Sequence, residues 1–229
     1  MKNIMFAIAD YKGPKQEIFE NHLSPRNQKY CDFHGFEYKV IKEGVKYRGN
    51  YTWHKAYEIK RMIDEGEVKD GDCVCNIDAD MCFVDGRKSI FPTEGKSFSL
   101  AIDNGNTHCW GWVSLRVNDW SKKMINLILD DERWERLKHT NHGSNFREQA
   151  MWYFLCGIMP HSWNSFLQMP NYGWYSKYDE KETHYSLDEL YDHVEIRDPE
   201  WNTTLLSEEQ SDPVSQSLQK YNIEKSKKE

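Results

Sequence analysis

Two aspartates one residue apart, Asp78 and Asp80, interrupt the apolar stretch GDCVCNIDADMCFVDG, residues 71–86. Desolvating a carboxylate is costly unless a cation pairs with it. A buried strand that ends in Asp-Ala-Asp therefore either meets a cation or has reached the surface. Carboxylates at i and i+2, placed where a strand turns, can reach one divalent ion from different sides. A hard ion such as Mn²⁺ or Mg²⁺ takes a few carboxylate oxygens and completes its shell with water and phosphate oxygens. It then offsets the charge that builds on a departing diphosphate. The plain alternative is a solvated turn with two exposed aspartates, since short acidic triplets are common.

The elements around the triplet decide between these readings. NIMFAIA, residues 3–9, reads as a first buried strand, followed by the polar loop DYKGPKQ. Ser24-Pro25 has the form of a helix start, serine as N-cap and proline at the first position, with Gly35 suited to the C-terminal cap. FEYKVI (36–41) is a second strand. Thr52 can cap a helix whose Ala56, Ile59, Met62 and Ile63 share a face and which Gly66 closes. The strand carrying the triplet, 72–77, follows. Strand, helix, strand, helix, strand predicts an α/β fold, a mostly parallel sheet flanked by helices. In such sheets ligands bind beyond the carboxyl ends of the strands, where Asp78, Ala79 and Asp80 lie.

Further along, FSLAI (98–102) and WVSLRV (112–117) read as strands. Asn118 or Asp119 can cap a helix to about Leu129, and another helix spans Asn145 to Cys156. No internal repeat or linker divides the chain, so residues 1–206 are expected to form one domain and 207–229 a polar tail.

The formal charge of −7 argues against broad binding of nucleic acid or anionic lipid. No run approaches the length of a membrane span, and Met1–Gly13 is too short in its apolar part for a secretory leader. The expectation is a cytoplasmic protein. The six cysteines (Cys31, Cys73, Cys75, Cys82, Cys109 and Cys156) lack zinc-site spacing and read as reduced, mostly buried thiols.

Longer blocks add a resemblance. NQKYCDFHGFEYKV (27–40), YTWHKAYEIKRMI (51–63), NIDADMCFVD (76–85), GWVSLRVNDWS (111–121), REQAMWYFL (147–155) and PHSWNSF (160–166) stand in order along the chain. Together they resemble the galactosyltransferase/xylosyltransferase family of fungal α-galactosyltransferases and plant xyloglucan xylosyltransferases. That resemblance implies the GT-A fold and retaining transfer of a hexose or pentose from a nucleotide-diphospho sugar, such as a UDP-sugar. The acceptor would be a glycan or another hydroxyl compound, and the cofactor Mn²⁺ or Mg²⁺.

Carried onto this sequence, the resemblance makes Asp78 and Asp80 the metal ligands. Ala9, Asp10, Tyr11, Lys55, Asp78, Ala79, Asp80 and Asn164 would bind the donor, Tyr11 by stacking on the base and Lys55 by offsetting phosphate charge. Glu148 and Gln149 would be catalytic, Glu148 as nucleophile or electrostatic stabiliser. The chain departs from the family pattern in its last block, where a histidine completes the metal shell; here His184, His193 or neither would fill that place. Cys109 and Glu148 also replace other residue types. Two alternatives stand beside this reading. One is a nucleotide-sugar-binding module without turnover, and the other a phosphatase or phosphotransferase, which would want its Asp-x-Asp on the first strand.

Overall fold

The computed structural model describes residues 1–83, 88–102, 108–139, 147–156, 192–197 and 203–204. A six-stranded sheet forms its centre, in the order β2-β1-β3-β6-β5-β7. The strands are β1 (Asn3–Ile8), β2 (Glu37–Ile41), β3 (Cys73–Ile77), β5 (Phe98–Ile102), β6 (His108–Arg116) and β7 (Val194–Arg197). β1 pairs in parallel with both β2 and β3, and β5 in parallel with β7. β6 alone runs the other way, antiparallel to β3 and β5. The sheet is thus mixed but mostly parallel, as the strand–helix alternation predicts. A small ribbon pairs β4 (Cys82–Phe83) with β8 (Thr203–Thr204).

Alternation along the strands sends side chains to two faces. Ile4, Phe6, Val74, Leu100 and Val113 pack on one face against α3 (His54–Asp64), α4 (Asp119–Ile128) and α6 (Glu148–Cys156). Met5, Ala7, Cys73, Cys75 and Ile77 pack on the other, with Ile18, Phe19, Leu23 and Tyr30 of the first helical segment. Cys31, Cys73, Cys75 and Cys82 are buried and Cys109 half-buried, and no disulfide joins these five. Burial pushes the Cys31 thiol up to about 12. The reduced reading holds for them.

Two helix starts differ from expectation. Ser24 is not an N-cap: the helical run begins at α1 (Pro14–Ile18) and passes through a π-helical turn, Phe19–Leu23, into α2 (Ser24–His34). Ser24 itself has helical angles, φ −58° and ψ −44°. Burying Phe19 and Leu23 against the sheet continues the helix across the position a serine cap would have broken. Thr52 likewise caps nothing; Trp53 occupies the N-cap with helical angles, and the Thr52 hydroxyl finds no partner. Asn118 does cap α4, in a reciprocal box with Ser121. Gly35 and Gly66 close their helices at φ +70° and +71°. α5 (Asp131–Leu137) and β7 are elements the sequence reading leaves out.

Among the described residues no helix is long and apolar enough to cross a membrane.

Candidate active site

From β1 the chain runs to β2 on one side, then crosses back to β3 on the other side of β1. That reversal opens a crevice between the carboxyl ends of β1 and β3. A cavity of about 280 Å³ lies there, walled by Ile8, Asp10 and Tyr11 after β1, Gly44 after β2, Tyr51, Thr52 and Lys55 at the start of α3, and Asn76 to Asp80.

Asp78 stands at the centre of its polarity. Its Oδ1 accepts from Lys55 Nζ at 2.7 Å, and the same ammonium donates to the Trp110 carbonyl at 2.8 Å. Glu148 Oε1 lies 3.7 Å from Lys55 Nζ. Two carboxylates therefore share one buried cation. Lys55 and Glu148 side chains are 8% and 5% exposed, whereas Asp78 keeps 40% of its surface open to the cavity. Asp80, two residues on, is exposed on the wall. The alternatives at the triplet are thus divided between its members: Asp78 meets a cation, the Lys55 ammonium, and Asp80 has reached the surface.

The electrostatics follow. Burial pushes the Asp78 carboxyl up to about 6; Lys55 opposes the rise, while Asp80 and Glu148 add to it. Burial would lower Lys55, but Asp78 and then Glu148 outweigh it and hold its ammonium at about 12. Burial, then Asp80 and Asp78, push the Tyr11 hydroxyl up to about 12, so it stays protonated beside the acidic pair.

The surrounding frame explains why the triplet sits there. β6 carries a bulge: Leu100 pairs with Val113 but Ala101 with Cys109, so Trp110, Gly111 and Trp112 are extra on the β6 side. The bulge brings the Trp110 carbonyl onto Lys55 and the Gly111 carbonyl onto Asp78 N at 2.7 Å. A Cβ on Gly111 would lie 2.9 Å from Met81 Sδ and 3.2 Å from Cys109 Sγ, so glycine allows the close approach. On the other side, buried Asn27 of α2 donates to the Met81 carbonyl at 3.1 Å and accepts from Phe83 N at 3.3 Å. Tyr30 stacks on Phe83 with centroids 3.7 Å apart and accepts from Ile90 N. The Asn27 and Tyr30 positions of the 27–40 block thus hold the chain that leaves the triplet.

The structure brings Asp10, Tyr11, Lys55, Asp78, Ala79 and Asp80 together on one wall. Ala9 lies just behind it, buried, with its N–H on the Ile41 carbonyl. Among the described residues Glu148 is not part of the wall and stands behind Lys55, 3.7 Å from its Nζ. Gln149 turns its amide inward, accepting from Trp110 N at 3.0 Å and donating to Tyr153 OH. Asn164, His184 and the tail 207–229 lie outside the described residues. His193 is not a candidate metal ligand here: it precedes β7 at the amino ends of the parallel strands, the edge opposite Asp78, and stacks on Trp120 with centroids 4.6 Å apart. Gly44, Tyr51, Thr52 and Asn76 are wall residues the sequence reading missed. Asn76 carried a signal, a polar residue inside the buried strand two positions before Asp78; its amide donates to the Phe6 carbonyl at 3.3 Å.

A hard divalent cation suits this donor set, which among the described residues offers carboxylate oxygens and no soft ligand on the wall. Among the described residues no group of three or more His, Cys, Asp or Glu is arranged to hold a metal. The protein share of the shell would be Asp78 and Asp80, the rest falling to diphosphate and water.

No family model matches the chain, and neither does any curated protein. Among solved structures it is similar to a glycosyltransferase involved in the glycosylation of the major capsid of PBCV-1. The TM-score is 0.51 and the identity 9%, over 87% of this chain and 82% of that one. The glycosyltransferase GlyE of Streptococcus pneumoniae TIGR4 also matches, at TM-score 0.39 and 14% identity over 67% of this chain and 43% of that one. The first likeness is one of fold, and the mostly parallel α/β sheet flanked by helices is consistent with the GT-A arrangement expected; the reversal of β6 lies outside that expectation. The particular galactosyltransferase/xylosyltransferase family is not shown by these likenesses.

Proposed function

We propose that the chain is a metal-dependent glycosyltransferase that moves a hexose or pentose from a nucleotide-diphospho sugar, a UDP-sugar in the first instance, to a glycan or other hydroxyl acceptor. The observation that carries this is the placement of Asp78 and Asp80, with Lys55 behind them, at the β1/β3 crevice of a sheet shared with a glycosyltransferase. A bound Mn²⁺ or Mg²⁺ would neutralise charge on the departing diphosphate.

The chain's own residues divide the remaining work. Asp78 and Asp80 would hold the ion. Lys55 fixes the Asp78 carboxylate through Oδ1, which would leave the second oxygen for the ion. Tyr11, protonated beside both aspartates, can donate to a phosphate oxygen or a sugar hydroxyl. Among the described residues the carboxylates on the wall are Asp10, Asp78 and Asp80, and Glu148 stands behind Lys55. An electrostatic part for Glu148, acting through Lys55, therefore fits better than attack on the anomeric carbon. Gln149 is a positioning residue that anchors the Trp110 bulge against Tyr153. Retention of configuration rests on the motif resemblance.

Glu148's distance from the wall also favours a second reading, a nucleotide-sugar-binding module without turnover. A panel of UDP- and GDP-sugars with Mn²⁺, scored for thermal protection and slow sugar release, separates the two. Protection with release supports the transferase, protection alone supports the module, and neither removes both readings.

A further inference from the structure

Between β2 and α3 the chain runs through residues 42–53, and the two halves of that loop are held by different means. The second half is clamped by backbone pairing and an arginine. Tyr47 and Asn50 exchange both backbone hydrogen bonds, at 3.1 and 2.9 Å. The turn residues between them, Arg48 and Gly49, have φ +50° and +78°, the pattern of a type I′ turn. The Arg48 guanidinium carbon lies 4.3 Å from the Trp53 ring centroid, and the side chain donates to the Leu129 carbonyl at 2.6 Å and to Asp131 at 2.7 Å. Tyr47 stacks on Tyr57 with centroids 4.0 Å apart.

The first half has a lighter hold. Among the described residues two hydrogen bonds tie 43–46 to the body. Gly44 N donates to Asp10 Oδ2 at 3.2 Å, and Val45 N donates to His54 Nδ1 at 3.1 Å. Lys46 adds only its ammonium over the Tyr51 ring, 5.0 Å from the centroid. Gly44 is part of the cavity wall and lies close against it: a Cβ there would stand 3.0 Å from Tyr51 Cδ1 and 3.1 Å from Asp10 Oδ2. Where 43–46 lies thus sets the shape of that end of the cavity.

His54, the first residue of α3, is 4% exposed. A backbone N–H only donates, so the Val45 bond requires a lone pair on Nδ1 and puts the ring proton on Nε2. A proton added at Nδ1 would set two donors face to face and place a charge in a buried site. Two titratable groups face the ring. Glu58, one turn further along α3, favours its protonated form but is itself engaged by Arg61 at 2.6 and 3.0 Å. Tyr47, on the loop side, brings its ring centroid to 5.7 Å. Burial prevails over Glu58 and lowers the His54 imidazole below its ordinary 6.5.

We infer that residues 43–46 are a strap over the outer end of the cavity and that His54 is its pH-sensitive latch, shut while Nδ1 is bare and released when Nδ1 takes a proton. Release leaves the second half of the loop in place, because Arg48 and the Tyr47–Asn50 pairing hold it without His54. The sign follows from linkage. The latch stabilises the shut strap fully above the ring's ordinary value and is lost as pH falls through the lowered value of the shut form. The inference goes beyond the glycosyltransferase reading and does not depend on it.

The test is amide exchange of the full chain by NMR from pH 7.5 to 5. Protection at each pH is referred to the intrinsic rate, and the His54 ring carbon shift is followed in the same samples. Protection of the Val45 N–H should fall by about threefold or more, in step with the His54 ring, while Tyr47 and Asn50 keep theirs. In His54→Asn, whose side-chain carbonyl stands near the place of Nδ1 and does not titrate, Val45 should stay protected throughout. Should that variant fail to fold, the two titrations of the parent decide the matter alone. Val45 protection that stays flat while His54 titrates, a fall shared by Tyr47 and Asn50, or an equal fall in His54→Asn overturns the inference. A His54 ring that takes no proton down to pH 5 also overturns it. Neither nucleotide nor metal enters the measurement, so failure of the strap leaves the transferase reading standing, and failure of that reading leaves the strap.

Discussion

Lys55→Met removes the one cation that Asp78 and Glu148 share, at nearly constant side-chain length. Losing one partner of a buried ion pair costs about 3–5 kcal/mol, because a charge is left unpaired in protein surroundings. Here the cost divides unequally. Glu148, 5% exposed, bears most of it, while Asp78 is 40% exposed and its share is screened towards the roughly 0–1 kcal/mol of a surface pair. A loss of about 3 kcal/mol at pH 8 is expected, or roughly 6–12 °C in Tm for a chain of this size. Urea denaturation at pH 8 and pH 5 is the assay. Asp78 is raised from its ordinary 3.8 to about 6 even with Lys55 present. Its ionised form therefore opposes folding above pH 6, and that cost fades as pH falls towards 4. Without Lys55 the carboxyl rises further, so the deficit of the variant must shrink between pH 8 and pH 5. Adding Glu148→Gln to Lys55→Met should restore about 2 kcal/mol by removing the stranded charge. A deficit below about 1 kcal/mol, unchanged by pH and by Glu148→Gln, would refute the shared-cation reasoning.

Two further outcomes follow from the same geometry. Cation-dependent binding of UDP or GDP should weaken about tenfold per unit as pH drops below 6, because a protonated Asp78 would give up its proposed place as a ligand. Calorimetry from pH 7.5 to 5 checks this, and a flat profile contradicts it. Gly111→Ala should cost about 1–2 kcal/mol, the new methyl displacing the end of Met81, and should weaken nucleotide binding by moving Asp78; equal denaturation midpoints for variant and parent would contradict it.

The sequence exposes the elements whose signal is local. β3 is legible because Cys73 to Ile77 form an apolar run broken only by Asn76. α3 shows its core face through Ala56, Ile59 and Met62, and Asn118 announces α4 by its cap. The triplet and the loop after β1 could be placed at one crevice because strand–helix alternation fixes which strand ends point the same way, while Lys55 was placed by the motif resemblance. What stayed hidden depends on contacts between distant segments. The reversal of β6 and its bulge at Trp110 to Trp112 follow from pairing with β3 and β5 at once. Ser24 carries every local mark of a cap, yet burial of Phe19 and Leu23 carries the helix through it. Tyr51 looks like any loop tyrosine until Arg48, anchored to Leu129 and Asp131, fixes where that loop stands. By its local pattern Glu148 reads as an exposed residue of a helix, and only its approach to Lys55 shows that it faces inward.

The central claim is that Asp78 and Asp80 grip a diphosphate through a divalent ion, and the crystal structure of the chain with Mn²⁺ and a UDP-sugar tests it most directly. The account predicts an anomalous manganese peak bridging the two carboxylates and the diphosphate oxygens, with Lys55 still against Asp78. Nucleotide bound at the crevice with both aspartates turned to solvent and no metal peak between them would contradict it.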